Sequence, residues 1–216
     1  MKILQLGLMK YEEALALMEE IHGAVASGAT QEETLLIVEH PPVVTMGLRD
    51  RSTDLVTPLD ALSVHGVHFQ KIDRGGSVTV HEPGQLVIYP IVRVDARRLT
   101  VRRLVWALEE IMILECARWG VVAARDDINP GVWVGSNKVG AVGVRVANHV
   151  SKHGLALNIS NTLKTFSHVV PCGIQGRGVT SLRTEVQKLG VEMNLPLIGN
   201  RMAADFEQRV VGFRAE

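Results

Sequence analysis

Apolar spacing changes period repeatedly along this chain, and the order of those changes restricts the fold more than any other feature. Four stretches carry the spacing of helices with one buried side. In 11–27, Ala14, Leu17, Met18, Ile21, Ala24 and Val25 fall on one stripe. In 101–119, Val101, Leu104, Val105, Leu108, Met112 and Cys116 do the same behind Thr100, an expected N-cap. In 181–189, Leu182, Val186 and Leu189 follow Thr180 and precede Gly190, a helix-ending residue. In 201–213, Met202, Phe206, Val210 and Phe213 follow Asn200. Strand-like runs lie between them, at 34–39, 43–46, 67–72, 86–92, 132–134, 138–146 and 154–159. Gly135, Ser136 and Asn137 separate two of these runs and predict a hairpin, because Gly and Asn tolerate positive φ. Helices and strands mix without strict alternation. The expected class is α+β, with mixed sheets and packed helices, rather than a doubly wound sheet. A length of 216 residues suits a single domain over 1–216. The turn-rich stretch 170–180 is where a smaller C-terminal piece sharing the same core could begin.

Several function classes are disfavoured. Lys plus Arg and Asp plus Glu number 23 each, which gives no support for broad binding of nucleic acid or anionic membranes. The N-terminal apolar stretch is interrupted by Lys10, Glu12 and Glu13, and no segment reaches the length of a membrane span. The expectation is a soluble, cytoplasmic protein. The two cysteines, Cys116 and Cys172, lack CxxC spacing, and no histidine pair has metal-ligand spacing with a matching carboxylate. No metal is expected. No phosphate-cradling GxxxxGK[ST] loop and no GxGxxG after a strand occurs, which removes the most recognisable routes to ATP or dinucleotides and leaves nucleotide binding by another fold open.

The candidates for chemistry sit in blocks rich in Gly, His and Pro. Cys172, between Pro171 and Gly173, falls in an expected tight loop before a helix, where neighbouring N–H groups could receive an oxyanion and lower the thiol pKa; a small buried hydrophobe is the simpler alternative. Cys116 lies on an apolar helical stripe and reads as core. Lys138 opens a strand of small residues. Dehydration beside that strand would let its amine exchange protons or hold a thiolate; a solvated strand-end lysine is the simpler alternative. Arg74, Gly75 and Gly76 could bind an anion or shape a pocket wall, and His40, His81 and His153 could line it.

Six blocks in register resemble the lipoyl(octanoyl) transferase family. They are RGG at 74–76, HEPGQLVIYPI at 81–91, KVGAVGVR at 138–145, HGLALN at 153–158, PCGI at 171–174 and VTSL at 179–182, with flanking EHP at 39–41, TMG at 45–47 and YEEA at 11–14. The resemblance implies a catalytic domain like that of biotin protein ligases and lipoate ligases. It implies an octanoyl–acyl carrier protein donor. The acceptors would be lysines on lipoyl domains of 2-oxoacid dehydrogenase E2 subunits and on the glycine cleavage H protein. It implies no cofactor and a Cys172/Lys138 dyad. Arg74, Gly75, Gly76, His81, Gly143, His153, Gly154 and Ala156 would line the acyl pocket, with N–H groups near Cys172 or around Gly75 and Gly76 holding the oxyanion. An ATP-dependent ligase, a non-catalytic carrier-protein-binding module and an amidotransferase between lipoyl domains are the alternatives. The chain departs from the family's usual pattern at Glu82, where Gly is usual, at Val80, where Tyr is usual, and at Ile88, where Gly is usual. Glu82 would be tolerated if its φ is negative and its side chain faces solvent, and strained if its φ is positive.

Overall fold

The unbroken apolar runs become strands covered on both faces. The computed structural model describes residues 1–49, 52–95, 98–126, 130–170, 177–186 and 192–215. In chain order these form β1 (Lys2–Leu8), α1 (Tyr11–Ser27), β2 (Thr34–Glu39), β3 (Val43–Met46), α2 (Leu59–Leu62), β4 (His68–Lys71), β5 (Val78–His81) and β6 (Gln85–Ile91). There follow α3 (Val101–Arg118), β7 (Ala124–Arg125), β8 (Val132–Val134), β9 (Asn137–Ala147), β10 (Val150–Asn158), β11 (Gly178–Val179), α4 (Leu182–Glu185) and α5 (Leu195–Ala215). The large sheet has the order β1-β2-β6-β10-β9-β8-β7, with β11 paired to β9; the small sheet is β4-β3-β5. Both parallel and antiparallel pairs occur, so the architecture is α+β with mixed sheets.

Successive side chains of a strand point to opposite faces, and here both faces are apolar. Leu35, Ile37, Leu86, Ile88, Leu155 and Leu157 enter the core under α3 and α5. Their alternates Leu36, Val38, Val87, Tyr89 and Ala156 pack under α1. A third cluster joins Val44, Val78 and Val80 of the small sheet to Leu62, Val67 and Val169. Ile198, Met202, Phe206 and Val210 of α5 belong to the same core as the sheet.

The predicted helix at 101–119 forms behind Thr100, whose side chain accepts from the Arg103 N–H. The helix predicted at 201–213 starts earlier, at Leu195, with Asn194 Oδ1 accepting from the Leu197 N–H. Pro196 does not block it, because a first-turn proline has no intrahelical N–H bond to lose. The helix predicted at 181–189 ends at Glu185 among the described residues, since Val186 is extended, and its cap is Ser181 rather than Thr180. The β8–β9 turn is tighter than predicted: Val134 pairs with Asn137, leaving Gly135 and Ser136, with Gly135 at φ 56°. The β9–β10 hairpin turns on Asn148 (φ 49°) and His149 (φ 60°), as a two-residue type I′ turn requires. No helix among the described residues is long and apolar enough to cross a membrane.

Candidate active site

A cavity opens between the α1 side of the large sheet and the small sheet. Its walls are Tyr11 of α1, Arg74–Gly76, Val78, Thr79 and His81 of β5, Tyr89 of β6, Pro130, Lys138 and Ala141–Gly143 of β9, and His153–Ala156 of β10. Arg74, Gly75, Gly76, His81, Lys138, Gly143, His153, Gly154 and Ala156 are thus brought together around one cavity. Cys172 lies outside the described residues. A smaller adjoining pocket shares Lys138, Ala141 and Ala156 and adds Gln85, Asn158, Phe166, Val169 and Val179. Tyr11, Thr79, Tyr89 and Pro130 were not read as site residues. The signal was available for the tyrosines, since both fall inside the blocks that carry the resemblance.

Lys138 is not the solvated strand-end lysine of the simpler reading; it is 6% exposed. Its Nζ donates to Pro130 O at 3.0 Å and lies 4.8 Å from the centroid of the Trp133 ring. A parallel pairing with Val179 and a bond from Thr180 N to Lys138 O at 2.9 Å fix its backbone.

Arg74 shapes the wall. Its guanidinium donates to Thr45 O at 2.8 Å, Thr45 Oγ1 at 3.0 Å and Gly75 O at 3.0 Å, stitching the small sheet to the loop. Gly143 lets the arginine cross β9: a Cβ there would sit 3.0 Å from Arg74 Cδ. Gly75 N donates to Val144 O at 3.0 Å, so that N–H is engaged and is not an oxyanion donor.

The histidines have fixed tautomers. Gln85 Nε2 donates to Val80 O and Asn158 Oδ1, so Gln85 Oε1 must accept from His81 Nδ1, 2.7 Å away. His81 Nε2 therefore carries a lone pair. Burial, reinforced by His40, lowers the His81 pKa to about 3. His40 lies behind the cavity wall. Its Nδ1 donates to Met9 O at 2.8 Å, so Nε2 accepts from Tyr89 Oη at 2.9 Å. Burial lowers its pKa to about 4. The Tyr89 hydroxyl therefore has its one proton on His40, and its oxygen keeps lone pairs on the cavity side. The relay thus runs one way, Tyr89 to His40 to Met9. Burial holds the Tyr11 and Tyr89 phenols above their ordinary range.

His153 sits at φ 59°, a conformation costly for an L side chain, and its Nε2 is 2.8 Å from Asp73 Oδ1. Lys152 bridges Asp73 and Glu19 at 2.8 and 2.6 Å. Burial pushes the Asp73 carboxyl up, but Lys152 and His153 outweigh it and hold it below its ordinary value. Burial outweighs Asp73 at His153, whose pKa is lowered.

Glu82 is neither solvent-facing nor at positive φ. It is 3% exposed, and its carboxylate accepts from Asn161 Nδ2, Leu163 N and Thr165 N. Three donors satisfy the charge that solvent was expected to satisfy. Cys116 is core, fully buried, with its thiol pushed up to about 12 by burial. Among the described residues no group of His, Cys, Asp and Glu could hold a metal.

Solved structures define the class. The archaeal bi-partite lipoate protein ligase from Thermoplasma acidophilum matches with a TM-score of 0.72 over 97% of this chain and 83% of that one, at 15% identity. The biotin protein ligase from Aquifex aeolicus in complex with biotin and ATP matches with a TM-score of 0.59 over 100% of this chain and 72% of that one, at 10% identity. The fold is that of the lipoate and biotin protein ligases. Sequence narrows it. The model of the lipoyl protein ligase A/B catalytic domain matches residues 10–207, and the chain belongs to that family. An octanoyltransferase of Alkaliphilus metalliredigens (strain QYMF) is 40% identical over 209 residues, covering 96% of this chain and 94% of that protein. The mitochondrial octanoyl-[acyl-carrier-protein]:protein N-octanoyltransferase LIPT2 of Danio rerio is 38% identical over 188 residues, covering 87% and 83%.

Proposed function

We propose that this chain is an octanoyltransferase. It moves an octanoyl or lipoyl group from acyl carrier protein to a protein lysine through a thioester on Cys172, with Lys138 carrying the protons. The observation that carries this reading is the convergence of both flanks of the cysteine segment on Lys138. Val169 shares the adjoining pocket with Lys138, and Val179 pairs with it in register. From Val169 to Cys172 is three residues, a reach of about 10 Å at most.

In the first half-reaction, Lys138 takes the Cys172 proton and the thiolate attacks the donor carbonyl. The carbon–sulfur bond to the pantetheine thiol breaks, and Lys138 returns the proton to that sulfur. In the second, the acceptor amine attacks the acyl-Cys172 carbonyl, the Cys172 thiolate leaves and Lys138 receives the amine proton. One thioester replaces another and then yields an amide, so no ATP is needed. Small residues at Ala141, Gly143, Gly154 and Ala156 leave room for the chain, which gains about 0.8 kcal/mol per buried methylene. The acceptors under this reading are lipoyl domains of 2-oxoacid dehydrogenase E2 subunits and the glycine cleavage H protein, met in the cytoplasm by a single catalytic domain.

The test is intact mass after incubation with octanoyl–acyl carrier protein, without ATP. Wild type gains one octanoyl mass and Cys172→Ser gains none; an adduct that persists on Cys172→Ser removes the residue from the mechanism. Lys138→Ala loses nearly all transfer at neutral pH while staying folded; full activity would assign the proton work elsewhere. Transfer that depends on ATP and free octanoate would support a ligase instead.

A further inference from the structure

The residues just before β8 include one peptide unit that is bonded on both edges. The N–H of Gly131 donates to Glu109 Oε1 at 2.9 Å. The C=O of the same unit, on Pro130, accepts from Lys138 Nζ at 3.0 Å. A trans peptide is flat, and its N–H and C=O point in opposite directions. A buried carboxylate on α3 and the candidate proton carrier on β9 therefore grip opposite edges of one rigid plate. Turning the plate about its Cα–Cα axis breaks both bonds together. Gly131 sits at φ 126°, and a Cβ there would lie 2.6 Å from Gly140 O and 3.3 Å from Lys138 Cε, so the plate lies close against β9. Glu109 is itself anchored. Its Oε2 stands 3.3 Å from Arg125 Nε, and Arg125 donates to Glu110 Oε2 at 2.6 Å and to Trp106 O at 3.1 Å, both on α3.

We propose that Glu109 is a positioning residue for Lys138: through the Pro130–Gly131 peptide, it fixes where the Lys138 amine stands in the cavity. This rests on Lys138 as the proton carrier of the proposed function. An N–H held by a carboxylate makes the stronger kind of hydrogen bond, and it polarises the C=O across the same amide. The amine therefore meets an acceptor that is both fixed in direction and strengthened. Trp133 supplies a second hold, with its ring centroid 4.8 Å from Nζ. That ring is placed by the β8–β9 pairing of Trp133 with Lys138, not by Glu109. Loss of Glu109 thus misplaces the amine while leaving it at the cavity wall.

The experiment follows acylation of the full chain by octanoyl–acyl carrier protein, read by quenched intact mass. It compares wild type with Glu109→Met, Glu109→Ala, Glu109→Gln and Glu110→Gln, each checked for folding by far-UV circular dichroism. Methionine fills the space of Glu109 but offers Gly131 N only a weak acceptor. Glu109→Met should lower the acylation rate constant by about 10- to 100-fold, the cost of a misplaced reacting group. Its donor KM should stay within about threefold, because most of the cavity wall stands on β5, β9 and β10. Glu109→Ala should behave like Glu109→Met and carries the test if Glu109→Met does not fold. Glutamine keeps an oxygen for Gly131 N, so Glu109→Gln should stay within about fivefold of wild type. Glu110→Gln weakens the hold on Arg125 without touching Gly131, and should resemble wild type. A folded Glu109→Met or Glu109→Ala with the wild-type rate constant overturns the proposal. So does a raised KM at an unchanged rate constant, or an equal fall in Glu110→Gln. Glu109→Gln as slow as Glu109→Met would assign the effect to the charge beside Arg125 and overturns it too. Lys138→Ala acylated at the wild-type rate, or a wild type with no adduct, would instead sink the function on which this proposal rests.

Discussion

Replacing Gly154 by alanine tests why that position carries no side chain. A Cβ there would lie 2.0 Å from Ile88 O and 2.7 Å from Pro90 Cδ, both on the neighbouring strand β6. Since 3.0 Å is the floor for such contacts, β6 and β10 would have to part by about 1 Å in the middle of the large sheet. Overpacking of this kind costs about 1–3 kcal/mol. Stretching the adjacent ladder bonds adds about 0.5–1.5 kcal/mol for each one lost. A total near 3 kcal/mol corresponds to a Tm fall of about 6–12 °C for a chain of this size. Urea unfolding followed by far-UV circular dichroism should give the free energy, and calorimetry the Tm. Gly23, inside α1, meets nothing within 4 Å, so Gly23→Ala should stabilise by about 0.5–1 kcal/mol. A Gly154→Ala protein as stable as wild type would show that the two strands separate freely and that strand spacing is not what the glycine serves.

Lys138→Arg keeps a cation but cannot release a proton near neutral pH, so transfer should fall almost as far as in Lys138→Ala; near-wild-type turnover would leave Lys138 with an electrostatic role only. His40 and His81 are neutral in the fold, with pKa values of about 4 and 3 against 6.5 when exposed. The unfolded chain binds protons first, so stability is full above pH 6.5 and falls below it, by up to about 1.4 kcal/mol per pH unit for each histidine. Denaturant titrations at pH 7 and pH 5 measure this, and His81→Asn should flatten the slope; an unchanged slope would refute it. Glu115 is fully buried and accepts from Trp119 Nε1, Arg118 and Arg201 at 2.8, 3.1 and 2.6 Å, joining α3 to α5. Glu115→Gln should cost about 2–3 kcal/mol, less than a fully buried pair because both arginines reach water. A change below 0.5 kcal/mol in urea unfolding, the scale of an ordinary surface substitution, would mark the cluster as dispensable.

What the sequence made legible follows from what each element had to do. α1 and α3 were readable because one face is core and the other is water, and Thr100 marks the start of α3. The middle strands were readable because both faces are apolar. β1 is an edge strand with most residues exposed, so MKILQLGL carries no burial signal. β5 is short and lies between two turns, and β11 is two residues long. The cavity residues were legible through the order of six motifs, not through periodicity. The tautomers of His81 and His40 were not, because each depends on a carbonyl or amide brought near by the fold. Glu82 was misjudged for the same reason: its partners lie some 80 positions away in the chain.

The fixed sense of the tyrosine relay reaches beyond the residues that form it. Its inner end offers only lone pairs, and His81 Nε2 offers another. Where Tyr89 and His81 face the slot, water can leave without stranding a donor of either residue, and a lone pair left bare is the cheaper loss. An alkyl chain laid against that side under the proposed function would leave neither of these two residues with an unmatched proton.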